Sequence, residues 1–172
     1  MMTCFGLKHE NTPERLISAC RWLEEIPIAK SQDVLSKSDT AAIANAANAV
    51  TKSLGYDLEL QRRILNAVLR VKSESSKEYF GRLADLLRRK YGADIVPDSF
   101  LNHLVRAMNF RGQSAHGWTT LKDTTDVNAF IECTRAIEAL CYLLMAVDLP
   151  ISTSGLRRIR SNPLVRDYIH SL

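Results

Sequence analysis

The chain lacks most of the features that announce a chemistry. Its four cysteines, Cys4, Cys20, Cys133 and Cys141, form no CxxC pair, and its four histidines, His9, His103, His116 and His170, are scattered. Locally built zinc sites need closely spaced ligand pairs, so neither a structural metal nor any other cofactor is expected. Dispersed thiols suit a reducing cytoplasm, and Cys133 and Cys141 fall in one apolar helical pattern, where thiols act as small hydrophobes. No apolar run is long enough to cross a bilayer. The most hydrophobic stretch, AIEALCYLLMAV from Ala136 to Val147, is about half the ~20 residues required and reads as a core helix. The opening MMTCFGLKHENTPERL has no apolar run of the signal-peptide kind. No strand pair and no internal repeat appears.

What is present is helical punctuation. Thr12-Pro13 supplies a cap and a first-turn proline for ERLISACRWLEEI, with Leu16, Ala19, Cys20, Leu23 and Ile26 in one stripe. Ser38 or Asp39 opens TAAIANAANAVTKSL, and Gly55 closes it. DLELQRRILNAVLRVK follows, with Leu58, Ile64, Leu65, Val68 and Leu69 expected on the buried side. Ser75 or Ser76 leads into KEYFGRLADLLRRKYG, closed beyond its basic last turn by Gly92. Pro97 or Asp98 opens a further helix, and a long apolar one runs from about Val127 to Val147. The tail PISTSGLRRIRSNPLVRDYIHSL suits a short helix on each side of Pro163. These elements predict an all-α fold, a bundle of five to seven helices. A lead-in spans 1–11, the helical domain 12–150, and a basic tail 151–172. Residues 3–11 also suit the middle of a longer chain, from which this would be one domain.

With 23 basic residues against 19 acidic, the net charge of +4 permits a polyanionic partner without demanding one. The basic runs RRILNAVLRVK, LLRRKYG and LRRIR read first as solvated helix faces, and second as the lining of an RNA groove.

One short stretch carries more. In NFRGQSAHG, residues 109–117, Arg111 and His116 stand five positions apart. On a helix over 98–116, Leu101, Leu104, Val105, Met108, Gly112 and Ala115 form one stripe that must be covered. Arg111 flanks it on one side and His116 on the other, about 140° apart. Two such side chains reach one phosphate in either of two ways. The helix unwinds near Gly112, or a second copy packs across the stripe and each arginine meets the other protomer's histidine. The small Gly112 and Ala115 make that stripe the expected dimer contact. Gly117 as C-cap places His116 at the negative end of the helix dipole, a position suited to a general acid.

The R-x4-H spacing in an all-helical chain of this size resembles the HEPN superfamily. FRGQSAHG is most similar to its ApeA-like group, through Arg111, Ala115, His116 and Gly117. The long helix after the motif and RWLEEI before it suit that group, and the fold-level likeness extends over about residues 12–148. The resemblance implies a metal-independent endoribonuclease, with Arg111 and His116 catalytic at a composite site across a homodimer. RNA such as tRNA is the implied substrate, and antiviral defence or toxin activity the implied setting, with an N-terminal sensing region lying outside this chain. Gly112 departs from the pattern, which usually has a polar residue there, often asparagine; a non-catalytic module for dimerisation or for partner or nucleotide binding is the alternative. Trp118 stands where the toxin motif has tyrosine, so nucleotide transfer to a tyrosine is not expected. Weaker candidates are Asn109 and Arg106 for RNA contact, Trp118 for base stacking, and Glu24 or Glu25 for holding Arg111. Each also has a plain structural reading.

Overall fold

The computed structural model describes residues 12–116, 121 and 123–171. Among them the chain is all-α: eight α-helices, one 3-10 turn at Pro27–Ala29, and a single isolated bridge between Asp33 and Ser73. The helices are α1 (Pro13–Glu25), α2 (Lys37–Ser53), α3 (Leu58–Arg70), α4 (Ser76–Tyr91), α5 (Ser99–Ala115), α6 (Thr124–Met145), α7 (Thr153–Ser161) and α8 (Pro163–Ile169). Eight exceeds the five to seven expected: six helices precede the tail, and both short tail helices, one on each side of Asn162-Pro163, form as well. There Asn162 accepts from Leu164 N and the proline's missing N–H costs nothing at a first turn.

Capping chemistry sets most boundaries. Ser36, two residues ahead of the expected position, starts α2 by accepting from Asp39 N. Asp57 and Asp123 do the same for α3 and α6. Ser75 and Glu78 exchange bonds at the head of α4: Ser75 N donates to Glu78 Oε2 at 2.8 Å, and Glu78 N donates to Ser75 Oγ at 3.3 Å. Two of those boundaries need glycine, since Gly55 and Gly92 have φ of 69° and 91°.

The chain divides into two compact units. The larger holds residues up to Lys30 and from Phe80 onward; the smaller is Ser31–Tyr79. The core of the larger unit is Leu16, Cys20 and Leu23 of α1, Phe80, Leu83 and Leu87 of α4, Phe100, Leu104 and Ala107 of α5, and almost one whole side of α6. The tail joins that core: Ile159, Leu164, Val165 and Tyr168 are all buried, and α8 packs on α6.

A buried ion pair ties α1 to α6. Arg15 donates through Nε and Nη2 to the two oxygens of Glu138, both at 2.7 Å. The hydrogen bond to Glu138 holds the Arg15 pKa above its ordinary value, against the opposing pull of burial. Tyr91 adds a bond from its hydroxyl to Leu143 O at 2.8 Å, tying α4 to α6; burial raises its pKa to about 12.

In the smaller unit α2 packs on α3, and Lys72 pairs with Asp33 at 2.7 Å. Its buried residues on these helices are Thr40 and Thr51, and α3 has none. Leu58 and Leu69, expected inside, are exposed. The seam between two helices covers one sector of each, and Leu58 and Leu69, eleven positions apart, share a different sector.

Candidate functional site

The inward face of α5 differs from the one its apolar residues suggest. Phe100, Leu104 and Ala107 are buried, whereas Leu101, Val105 and Met108 are only partly covered, and Gly112 and Ala115 are exposed. The buried stripe is therefore rotated about 90° from the expected one. Positions 100, 104, 107 and 111 fall at successive steps of four, three and four, the spacing of a single helix face. Arg111 thus occupies the last place on the buried stripe rather than its flank.

That placement decides what Arg111 touches. Its Nη2 donates to Glu24 Oε1 of α1 at 2.6 Å. The arginine side chain is 31% exposed and the glutamate 57%, so the pair sits at a rim with one side open to water. Of RWLEEI, then, Glu24 is the residue that holds the guanidinium. Cys20, one turn earlier on α1, lies close enough to feel both charges. Burial pushes its thiol up to about 11; Arg111 opposes that and Glu24 adds to it. A thiol held there is protonated at neutral pH and is no nucleophile.

His116 follows α5 as its C-cap, and its N–H donates to Gln113 O at 3.2 Å. It is exposed, as are Gly112, Gln113 and Ala115 around it. A methyl group added at Gly112 would meet nothing within 4 Å. The end of α5 therefore presents small residues to solvent, with the arginine turned towards α1 and the histidine about 140° around the helix.

The other expected residues are spread along the same helix. Asn109 is exposed, seven positions before His116 and so on the same side. Arg106 is also exposed, with its guanidinium carbon 5.5 Å from the Phe110 ring centroid; Phe110 in turn packs edge-on to Phe130 at 5.4 Å. Trp118 and Gly117 lie outside the described residues. Among the described residues no three of His, Cys, Asp and Glu gather as a metal-holding group, and no helix is long and apolar enough to cross a membrane.

A second polar cluster has no counterpart in the sequence reading. His103 of α5 bonds through Nδ1 to the Tyr168 hydroxyl of α8 at 3.1 Å, while its Nε2 is 3.8 Å from Glu132 Oε2 of α6. Tyr168 stacks edge-on to Phe100 and to His103 and is fully buried. Burial lowers the His103 pKa, with Glu132 opposing and Arg106 reinforcing. The local signal was position 103 itself, one place before a buried leucine; its partners lie 29 and 65 residues away, beyond any local pattern.

No family model, curated protein or solved structure matches this chain.

Proposed function

We propose that the chain is a metal-independent endoribonuclease of the HEPN type, working as a homodimer with Arg111 and His116 as its catalytic residues. The observation that carries this reading is the end of α5. Arg111 is held by Glu24 at a half-open rim, and His116 is exposed at the helix terminus. Between them stands a surface of small residues on which a second α5 can approach closely. Neither side chain reaches the other along one straight helix, so the active centre draws on both protomers, which together supply two arginines and two histidines.

The chemistry needs little else. The ribose 2′-oxygen attacks the adjacent phosphorus and loses its proton to one histidine. The bond from phosphorus to the 5′-oxygen breaks, and that oxygen gains a proton from the second histidine. The products are a 2′,3′-cyclic phosphate and a 5′-hydroxyl. Histidine titrates in the right range for both transfers. Arginine supplies fixed donors for the charge that develops on the phosphorane oxygens. The setting this reading implies is a defence or toxin effector that cuts RNA such as tRNA.

A second reading is favoured by one residue. Gly112 stands where the resembled family usually carries a polar side chain, which suits a non-catalytic module that dimerises or binds a partner. One experiment separates the two. The purified chain and its His116→Ala variant are incubated with total cellular RNA in EDTA, and the new ends are mapped. Cutting by the parent alone, with cyclic-phosphate ends, supports the nuclease. Equal behaviour of the two proteins supports the binding module.

A further inference from the structure

Two basic runs that stand far apart in the sequence meet in the larger unit. Lys90, at the end of α4, donates from Nζ to Leu149 O at 3.0 Å, just ahead of α7. Arg160, near the end of α7, donates to Asp94 Oδ2 at 3.2 Å, just beyond α4. The nine residues of α7 span only about 13 Å and are anchored at both ends to the end of α4 and its following turn. Ile159 is buried, which turns Arg157 and Arg158 outward; Leu87 and Tyr91 are buried, which turns Arg89 outward. No hydrogen bond or ion pair engages these three arginines among the described residues, and all are exposed.

The carboxylates nearby do not cancel them. Asp94 is taken by Arg160, and Asp98 by Arg88 at 3.0 Å. That leaves Asp148, and Asp85 one turn before Arg89 on α4, against three guanidinium groups that no ion pair engages. A surface of this kind recruits phosphate. What it lacks narrows the partner. Binding of single strands uses aromatic platforms on which bases stack, and no aromatic side chain of the larger unit is exposed among the described residues. Base-paired RNA is gripped instead through phosphate and shape.

We infer that the face built by the end of α4 and by α7 binds the phosphate backbone of a base-paired RNA stem. The inference rests on the ribonuclease reading above and names the substrate's form: folded RNA. Asp98, which Arg88 holds, begins α5, and Arg111 lies near its other end. Arg111 thus lies about 20 Å along the helix axis from Asp98, the residue beside the proposed stem contact.

The test uses the His116→Ala chain, so that binding is read without cleavage. A labelled RNA stem of about two helical turns and a single strand of equal length are titrated at several salt concentrations. Arg89→Gln, Arg157→Gln and Arg158→Gln are then combined in one variant, and Arg62→Gln with Arg63→Gln on α3 serves as the control. The triple variant is expected to bind the stem about tenfold to hundredfold more weakly. Its salt slope should fall by about 2–3, the loss of three phosphate contacts. The control should change affinity less than about threefold, and the single strand should bind less tightly than the stem. Unchanged stem affinity and slope in the triple variant would overturn the inference. So would an equal loss in the control, tighter binding of the single strand, or no stem binding by the parent. Cleavage by the unmutated chain is scored separately on the same stem. Normal cutting with an unaffected triple variant removes this face and leaves the nuclease reading standing. Arginine-dependent stem binding without any cutting does the reverse.

Discussion

Removing one partner of the Arg15–Glu138 pair should cost more than any surface substitution in this protein. The two side chains are 9% and 11% exposed and share two bonds of 2.7 Å, so neither charge has much water to fall back on. Glu138→Gln leaves the guanidinium buried beside a neutral amide. Loss of one partner from a buried ion pair costs about 3–5 kcal/mol. With a urea dependence of about 2 kcal/mol per molar, the unfolding midpoint of the larger unit should fall by about 1.5–2.5 M. Replacing both charges, Arg15→Met with Glu138→Leu, removes the desolvation cost along with the attraction. That double variant should recover most of the loss and lie within about 1–2 kcal/mol of the parent. The assay is urea unfolding followed by circular dichroism, on the two single variants and the double. A single-variant loss below about 1 kcal/mol would refute the reasoning, as would a double variant whose loss equals the sum of the singles. The pair matters to the proposed chemistry as well, because α1, which it fixes to α6, carries the Glu24 that holds Arg111.

The exposed end of α5 supports a paired experiment. Gly112→Ala should stabilise the isolated chain by about 0.5–1 kcal/mol in thermal unfolding, since its added carbon meets nothing and helix propensity rises. Gly112→Leu should instead abolish the proposed dimer in sedimentation. Acidification should loosen the tail: the His103 pKa lies below its ordinary value of 6.5, so its contribution to stability is complete above that pH and is lost as pH falls towards the folded value. Unfolding midpoints measured at pH 7.5 and 5.5 should therefore differ less in His103→Gln than in the parent. On the proposed ribonuclease reading, Glu24→Gln should lower the rate of RNA cleavage about tenfold or more in a turnover assay, because Arg111 loses its charged tether.

How much of this could be read beforehand follows from where the information lies. The helix boundaries are local, and Pro13, Gly55 and Gly92 mark them in the sequence as plainly as in the structure, although Thr12 ahead of Pro13 makes no side-chain cap bond. The orientation of α5 was not local. Apolar residues occupy two sectors of that helix, Leu101, Val105 and Met108 in one and Phe100, Leu104 and Ala107 in another. Periodicity within one helix gives a face only when a single sector is apolar. Here the neighbouring α1 and α6 make the choice. The partner of Arg111 is 87 positions away: RWLEEI offered Glu24 or Glu25, and only the packing of α1 beside α5 selects Glu24. The opposite failure occurs in α3, whose regular stripe promised a covered face and whose Leu58 stays 79% exposed.

The place of Arg111 on the inward stripe of α5 has an evolutionary consequence. A position that continues Phe100, Leu104 and Ala107 is one where a lineage selected only for folding would drift to leucine or methionine, gaining apolar burial and shedding the cost of a half-desolvated cation. His116, exposed at the helix end, has no such buried stripe to rejoin. Should the proposed activity cease to be selected, the two residues of the pair would therefore be lost differently, the arginine towards a narrow set of hydrophobes and the histidine without that bias.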